Sequence, residues 1–199
     1  RPKAARPHPL GLPDDAYAHQ RGLITKAEVR VVSLSRLRLR QDSVVWDVGA
    51  GCGSVAIEAA GLAVNGAVYA MERDGAQLSY LERNKAAFGA GNVVVVAGAA
   101  PDALAGLPAP NAVFIGGSGG QLEAILTGVF RALQPDGRVV VNLVSLEHVG
   151  EALRVARAAG WETAVTQVAV SQGVDTAGLT RLAAQNPVFV MTLSRPVRS

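Results

Sequence analysis

Apolar residues along this chain fall into short blocks with two different periods. Five nearly continuous apolar runs, at 44–48, 67–71, 93–97, 112–115 and 139–143, have the pattern of strands buried on both faces. Between them apolar positions recur at helical spacing around 55–63, 76–88, 122–133 and 147–159, which predicts helices. Strand and helix alternating in this way imply a parallel sheet joined by right-handed crossovers. The alternation then breaks. Segments 163–170 and 188–193 both read as strands, while "SQGVDTAGLTRLAAQNP" between them holds Gly173 and Gly178 and reads as a loop. A closing antiparallel pair is expected.

Upstream of the first strand, "TKAEVRVVSLSRLRL" places Val29, Val32, Leu34 and Leu37 near helical spacing, and Thr25 with Glu28 matches a capping box. A helix should begin there. The opening "RPKAARPHPLGLPDD" carries Pro2, Pro7, Pro9 and Pro13, which fix φ and remove backbone donors. It reads as a linker or tail over residues 1–13, followed by one domain over 14–199. With no initiating Met, the chain reads as a piece of a longer protein with another domain upstream. It has no internal repeat.

Composition narrows the class. At 199 residues, 49% hydrophobic and 18% charged, the chain has material for one full core and is no disordered segment. No apolar run approaches the roughly 18 residues of a membrane span and no signal peptide leads the fold, which points to the cytoplasm. The lone Cys52 agrees, having no partner for an internal disulfide. The formal charge of +3 owes much to Arg1, Lys3, Arg6, Arg195 and Arg198 in the tails, and only 5% of residues are aromatic. That is no nucleic-acid footprint; a small anionic substrate suits it better. No metal is expected.

The chemistry concentrates in "VVWDVGAGCGSVAIEAA". Gly51, Gly53 and Ala56 satisfy G-x-G-x-x-A, and Glu72 follows at the end of the next strand, where an acid would bind the ribose of a dinucleotide. The preceding Asp47 and Gly49, in "DVGAGCG", resemble instead the first motif of class I S-adenosylmethionine-dependent methyltransferases. In those the first acid orients the methionine ammonium and the acid after strand two takes the ribose hydroxyls. A sheet closing on an antiparallel strand also resembles that family. The glycines alone leave both cofactors open. Cys52 reads as a small turn residue, with no His or second Cys near it in sequence.

A second glycine segment, "NAVFIGGSGGQLEAIL", puts Gly116, Gly117, Ser118, Gly119 and Gly120 where the fourth strand should end, at the edge where open α/β sheets bind ligands. Missing side chains there leave amides open to a carboxylate. Asn142, Ser145, Glu147 and Gln172 are polar candidates for the substrate rim. His148 reads as a solvated helix position, and no residue is assigned as catalytic.

"GLPDDAYAH", "LITKAEVR", "DVGAGCGS", "GAAPDAL", "FIGGSGGQLEAIL", "GRVVVNLVSLE" and "NPVFVMTLSRP" together resemble the decarboxylating methyltransferase of cobalamin synthesis. That enzyme occurs alone or as the C-terminal half of a precorrin-6Y 5,15-methyltransferase. The resemblance implies a Rossmann-like, mostly parallel seven-stranded sheet with an antiparallel last strand. It implies S-adenosylmethionine as methyl donor to carbon 15 of an anionic tetrapyrrole, with loss of carbon dioxide from the carbon 12 acetate. It also implies a homo-oligomer, specifically a tetramer, and a fused methyltransferase domain upstream in some members. By the same resemblance Thr25, Asp47, Gly49, Ala50, Gly51, Cys52, Gly53, Glu72, Arg73, Ala99 and Ala100 fall on cofactor-binding positions. The chain departs from the family at Gly98-Ala99-Ala100, where an acid is usual, so a side-chain contact to the adenine is lost. Two other readings stay open: a class I methyltransferase for another small molecule, and a cofactor-binding module serving a separate catalytic domain.

Overall fold

The structure, a computed structural model, describes residues 9–196; most of the expected tail, residues 1–8, lies outside them. Strands β1 (Val44–Val48), β2 (Ala67–Glu72), β3 (Val93–Ala97), β4 (Ala112–Ile115) and β5 (Arg138–Leu143) pair in parallel. After β6 (Glu162–Val168), the strand β9 (Val188–Ser194) inserts antiparallel between β5 and β6. The full order is β3-β2-β1-β4-β5-β9-β6, which is the expected α/β sheet with its antiparallel last strand.

Among the described residues, five α-helices cover the sheet: α1 (Ala27–Leu37), α2 (Ser54–Leu62), α3 (Gly75–Phe88), α4 (Leu122–Ala132) and α5 (Leu146–Ala158). Side chains of a strand alternate between faces, so the sheet builds two cores. Val45, Val68 and Phe114 pack with Leu34, Ile57 and Leu81 of α1, α2 and α3. Trp46, Val48, Ile115 and Val141 pack with Leu126 and Val129 of α4 and Ala152 of α5. The chain reverses direction across the sheet at β1, which lies between β2 and β4. Such a switch point opens a crevice at the carboxyl ends of the strands.

Two expectations are corrected. The capping box does not form: α1 begins at Ala27 after Lys26, with no side chain capping it. Thr25 is held by its carbonyl, which accepts from Arg30 Nη1 at 2.6 Å, and Glu28 reaches outward to Gln172 at 3.3 Å. The expected loop is a β-hairpin, β7 (Ser171–Thr176) and β8 (Leu179–Ala184). Its two turn residues, Ala177 and Gly178, both have positive φ, 51° and 80°, as a tight hairpin turn of this twist requires.

Candidate functional site

The glycine turn runs from the end of β1 to the start of α2. Gly49 has φ +70°, and a Cβ there would lie 2.6 Å from the Gly117 carbonyl oxygen, so only glycine lets the two glycine loops touch. The amides of Gly49 and Ala50 donate to the Met71 carbonyl at 3.0 and 2.9 Å. Glu72 continues the stitching: Oε2 accepts from the Gly51 amide at 2.9 Å, and Oε1 from the amides of Arg73 and Asp74 at 2.8 and 2.9 Å. Its carboxylate is thereby fixed over the turn, with one lone pair left free on Oε2.

Asp47 is placed differently. It is 1% exposed, and neither carboxylate oxygen has a hydrogen-bond partner among the described residues. Burial pushes its carboxyl up to about 7, with the Glu72 charge adding to the rise; the Ala56 amide opposes it without closing a bond. Gln77 Oε1 is likewise buried and unpartnered. Burial also raises the Cys52 thiol, which keeps it protonated and suits the turn role expected of it.

Two cavities meet at Gly49. The smaller, about 210 Å³, is lined by Glu72, Arg73, Ala99 and Ala100 together with Gly117, Ser118 and Gly119. The larger, about 500 Å³, is lined by Thr25, Ala50, Gly51, Cys52, Gln77, Gly116 and Asn142, with apolar walls from Leu23, Ile24, Val144 and Val188. Gly49 borders both. A ligand spanning them must bend around that residue.

One wall of the larger cavity comes from the N-terminal segment, and a buried network that sequence reasoning missed holds it there. Glu58 of α2 accepts from the amides of Gly11 and Leu12 at 2.9 and 3.1 Å, from the Tyr17 hydroxyl at 3.1 Å and from Arg30 Nε at 2.7 Å. Arg30, fully buried, also donates to the carbonyl oxygens of Leu12 and Thr25. Asn84 of α3 accepts from the Ala18 amide at 2.8 Å and donates to the carbonyls of Ala18 and Cys52 at 2.8 and 2.9 Å. Gly11 and Leu12 thus bond to the core from within the stretch expected to be tail.

The expected residues divide between these places. Asp47 and Gly53 line neither cavity; Asp47 lies beneath the turn, and a Cβ on Gly53 would meet Leu81 at 2.9 Å. The second glycine loop, expected on the substrate, lines the smaller cavity with Glu72 and Arg73 through Gly117, Ser118 and Gly119. Its first two amides, of Gly116 and Gly117, already donate to the Val48 carbonyl at 2.9 and 3.4 Å. Gly120, Ser145, Glu147 and Gln172 line neither cavity. Ser145 instead caps α5, accepting from the His148 amide at 3.3 Å. The described residues hold no metal-binding cluster of His, Cys, Asp and Glu, and none of their helices is long and apolar enough to cross a membrane.

Residues 15–195 match a family profile described as precorrin methyltransferase domain. A protein of Pyrobaculum calidifontis is 40% identical over 92% of this chain and 94% of its own length. It carries the name cobalt-precorrin-6B C(15)-methyltransferase (decarboxylating). The precorrin-6Y C(5,15)-methyltransferase [decarboxylating] of a Sinorhizobium species is 40% identical over 67% of this chain, and the match spans 32% of that protein. Among solved structures, the precorrin-6Y C5,15-methyltransferase of Geobacter metallireducens superposes with a TM-score of 0.90 at 41% identity, covering 94% of this chain and 97% of that one. Profile, relatives and fold agree, and the chain belongs to the precorrin methyltransferase domain family.

Proposed function

We propose that this chain binds S-adenosylmethionine across the two cavities. In this reading it methylates carbon 15 of a precorrin with loss of carbon dioxide from the carbon 12 acetate. The observation that carries the cofactor reading is Asp47, a fully buried carboxylate with both oxygens unpartnered at the root of the glycine turn. An isolated buried carboxylate is costly; Asp47 lines neither cavity, so the ammonium of an amino-acid ligand on the turn would offset its charge from above the turn rather than by direct contact. Glu72, fixed by three backbone amides, offers the free lone pair of Oε2 to a ribose hydroxyl, and Arg73, Ala99 and Ala100 enclose the nucleoside end. Thr25, Ala50, Gly51 and Cys52 lie along the amino-acid end.

Bound there, S-adenosylmethionine supplies an electrophilic methyl group on a sulfonium. An electron-rich tetrapyrrole carbon is already nucleophilic, so the chain's task is positioning rather than strong base catalysis. Asn142 and the apolar walls of the larger cavity serve that task, and the second glycine loop adjoins it through Gly116. The exposed β7–β8 hairpin, with Leu179 and Leu182 more than 70% exposed, supports the reading as a homo-oligomer, since an isolated two-stranded ribbon gains stability by packing on a partner. The Sinorhizobium relative, three times longer than the matched region, supports the reading of an upstream methyltransferase domain in the full protein.

The test is calorimetry with S-adenosylhomocysteine and with NAD, followed by turnover on cobalt-precorrin-6B with methyl transfer and carbon dioxide counted together. Binding of the homocysteine compound, with one carbon dioxide released per methyl, is expected. Preference for NAD, or methylation without decarboxylation, would overturn the reading.

A further inference from the structure

This inference rests on the function proposed above. A precorrin brings several carboxylates to a cavity with mostly apolar walls. Among the described residues lining that cavity, Lys26 alone is charged. Its ammonium lies 3.1 Å from Asp14, and both side chains are partly open to solvent. Partly exposed pairs of this kind contribute little, and Asp14 keeps a second partner, Arg30 Nη1 at 3.4 Å, when an incoming carboxylate takes the ammonium. Lys26 also precedes the first turn of α1, which no side chain caps, so the dipole of that helix adds to its charge. Arg30 behind it is already engaged, buried with Glu58 at 2.7 Å.

Decarboxylation divides the substrate's carboxylates into two kinds. When the acetate on carbon 12 breaks its bond to the carboxyl carbon, carbon dioxide leaves. The electron pair passes into the conjugated ring, and the remaining carbon takes a proton from solvent. A cation on that carboxylate would stabilise the localised charge of the starting state more than the dispersed charge of the transition state, slowing the step. An apolar surrounding has the opposite effect. Leu23 and Val144, 54% and 72% exposed, supply with Val188 such a surface in the same cavity lining as Lys26. We propose that Lys26 anchors a carboxylate that the substrate keeps, and that the departing acetate lies on the apolar wall of Leu23, Val144 and Val188.

The full chain, saturated with S-adenosylhomocysteine, is titrated with cobalt-precorrin-6B and followed by visible absorption; turnover is then measured with methyl and carbon dioxide counted separately. Lys26→Met should raise the dissociation constant about tenfold, as loss of a charged hydrogen bond does. The carbon dioxide to methyl ratio and the affinity for S-adenosylhomocysteine should stay at the parent values. Lys26→Arg should restore most of the binding. An unchanged dissociation constant in Lys26→Met overturns the anchor. So does an altered carbon dioxide to methyl ratio, which would put Lys26 on the departing carboxylate. If the parent binds the precursor without methylating it, the proposed function fails while the dissociation constants still decide the anchor; a parent that does not bind it overturns both.

Discussion

Asp47 and Glu58 sit on either side of the glycine turn and are equally buried, each 1% exposed. Glu58 has four donors, all from its own chain, whereas Asp47 has none. A carboxylate saturated from within is architecture, because removing it strands the groups aimed at it. One left bare is tolerable when it takes up a proton or when a cation arrives. Burial alone therefore does not separate structural acids from ligand-binding ones; the origin of their partners does. Glu72 is intermediate, fixed by backbone amides yet partly open on the smaller cavity.

Glu58→Ala should have the largest effect. It leaves Arg30 charged and buried, and loss of one partner of such a pair costs about 3 to 5 kcal/mol, measurable by urea unfolding. Less than about 1 kcal/mol, the range of an exposed pair, would erase the contrast between the two acids. Glu72→Ala should weaken binding of S-adenosylhomocysteine by about 1 to 3 kcal/mol by calorimetry; parent affinity would make Glu72 a brace for the turn only.

Asp47 gives a subtler test through pH. Its carboxyl titrates near 3.8 when unfolded and at about 7 when folded. The folded state thus holds the extra proton between those values, and stability falls as pH rises through that window. Without ligand, the parent should lose thermal stability from pH 4 to 7, at about 2 to 4 °C per kcal/mol for a chain of this size. Asp47→Asn should lack that component and bind S-adenosylhomocysteine more weakly. An identical pH profile in the two proteins would show that Asp47 is already partnered. The smallest effect on folding is expected from Leu179→Ser with Leu182→Ser, within about 0.5 kcal/mol. The same double change should shift the protein to a smaller species on sizing, and an unchanged elution volume would remove the hairpin from the assembly.

The sheet and both glycine loops are legible in the sequence because each parallel strand is an apolar run and each loop a dense glycine cluster. The clamp leaves fainter marks. Arg30 shares the buried face of α1 with Ser33, Leu34 and Leu37, and Glu58 is the one charge in the apolar α2. Each is an anomaly that only the other explains, and 28 residues separate them. The bonds from Gly11 and Leu12 are invisible because backbone amides carry no residue-type signal. The hairpin escapes notice for a different reason: β7 is exposed throughout and β8 nearly so, so no face is kept apolar to reveal a period of two. Lys26 carries no signal of its own in the sequence; only the fold places it in the lining of the larger cavity.

The clamp also has a consequence in time. Glu58 lies 46 and 47 residues after the amides it binds, and Asn84 lies 66 residues after Ala18. The N-terminal wall of the larger cavity thus docks on helices that follow it in the chain, long-range contacts of the kind that close late. Releasing them loosens residues 11–18, which lead into the wall residues Gly22, Leu23, Ile24, Thr25 and Lys26, without breaking a single ladder of the sheet. Local unfolding of this segment is expected to be separable from unfolding of the core, and amide hydrogen exchange at Gly11, Leu12 and Ala18 would report its rate.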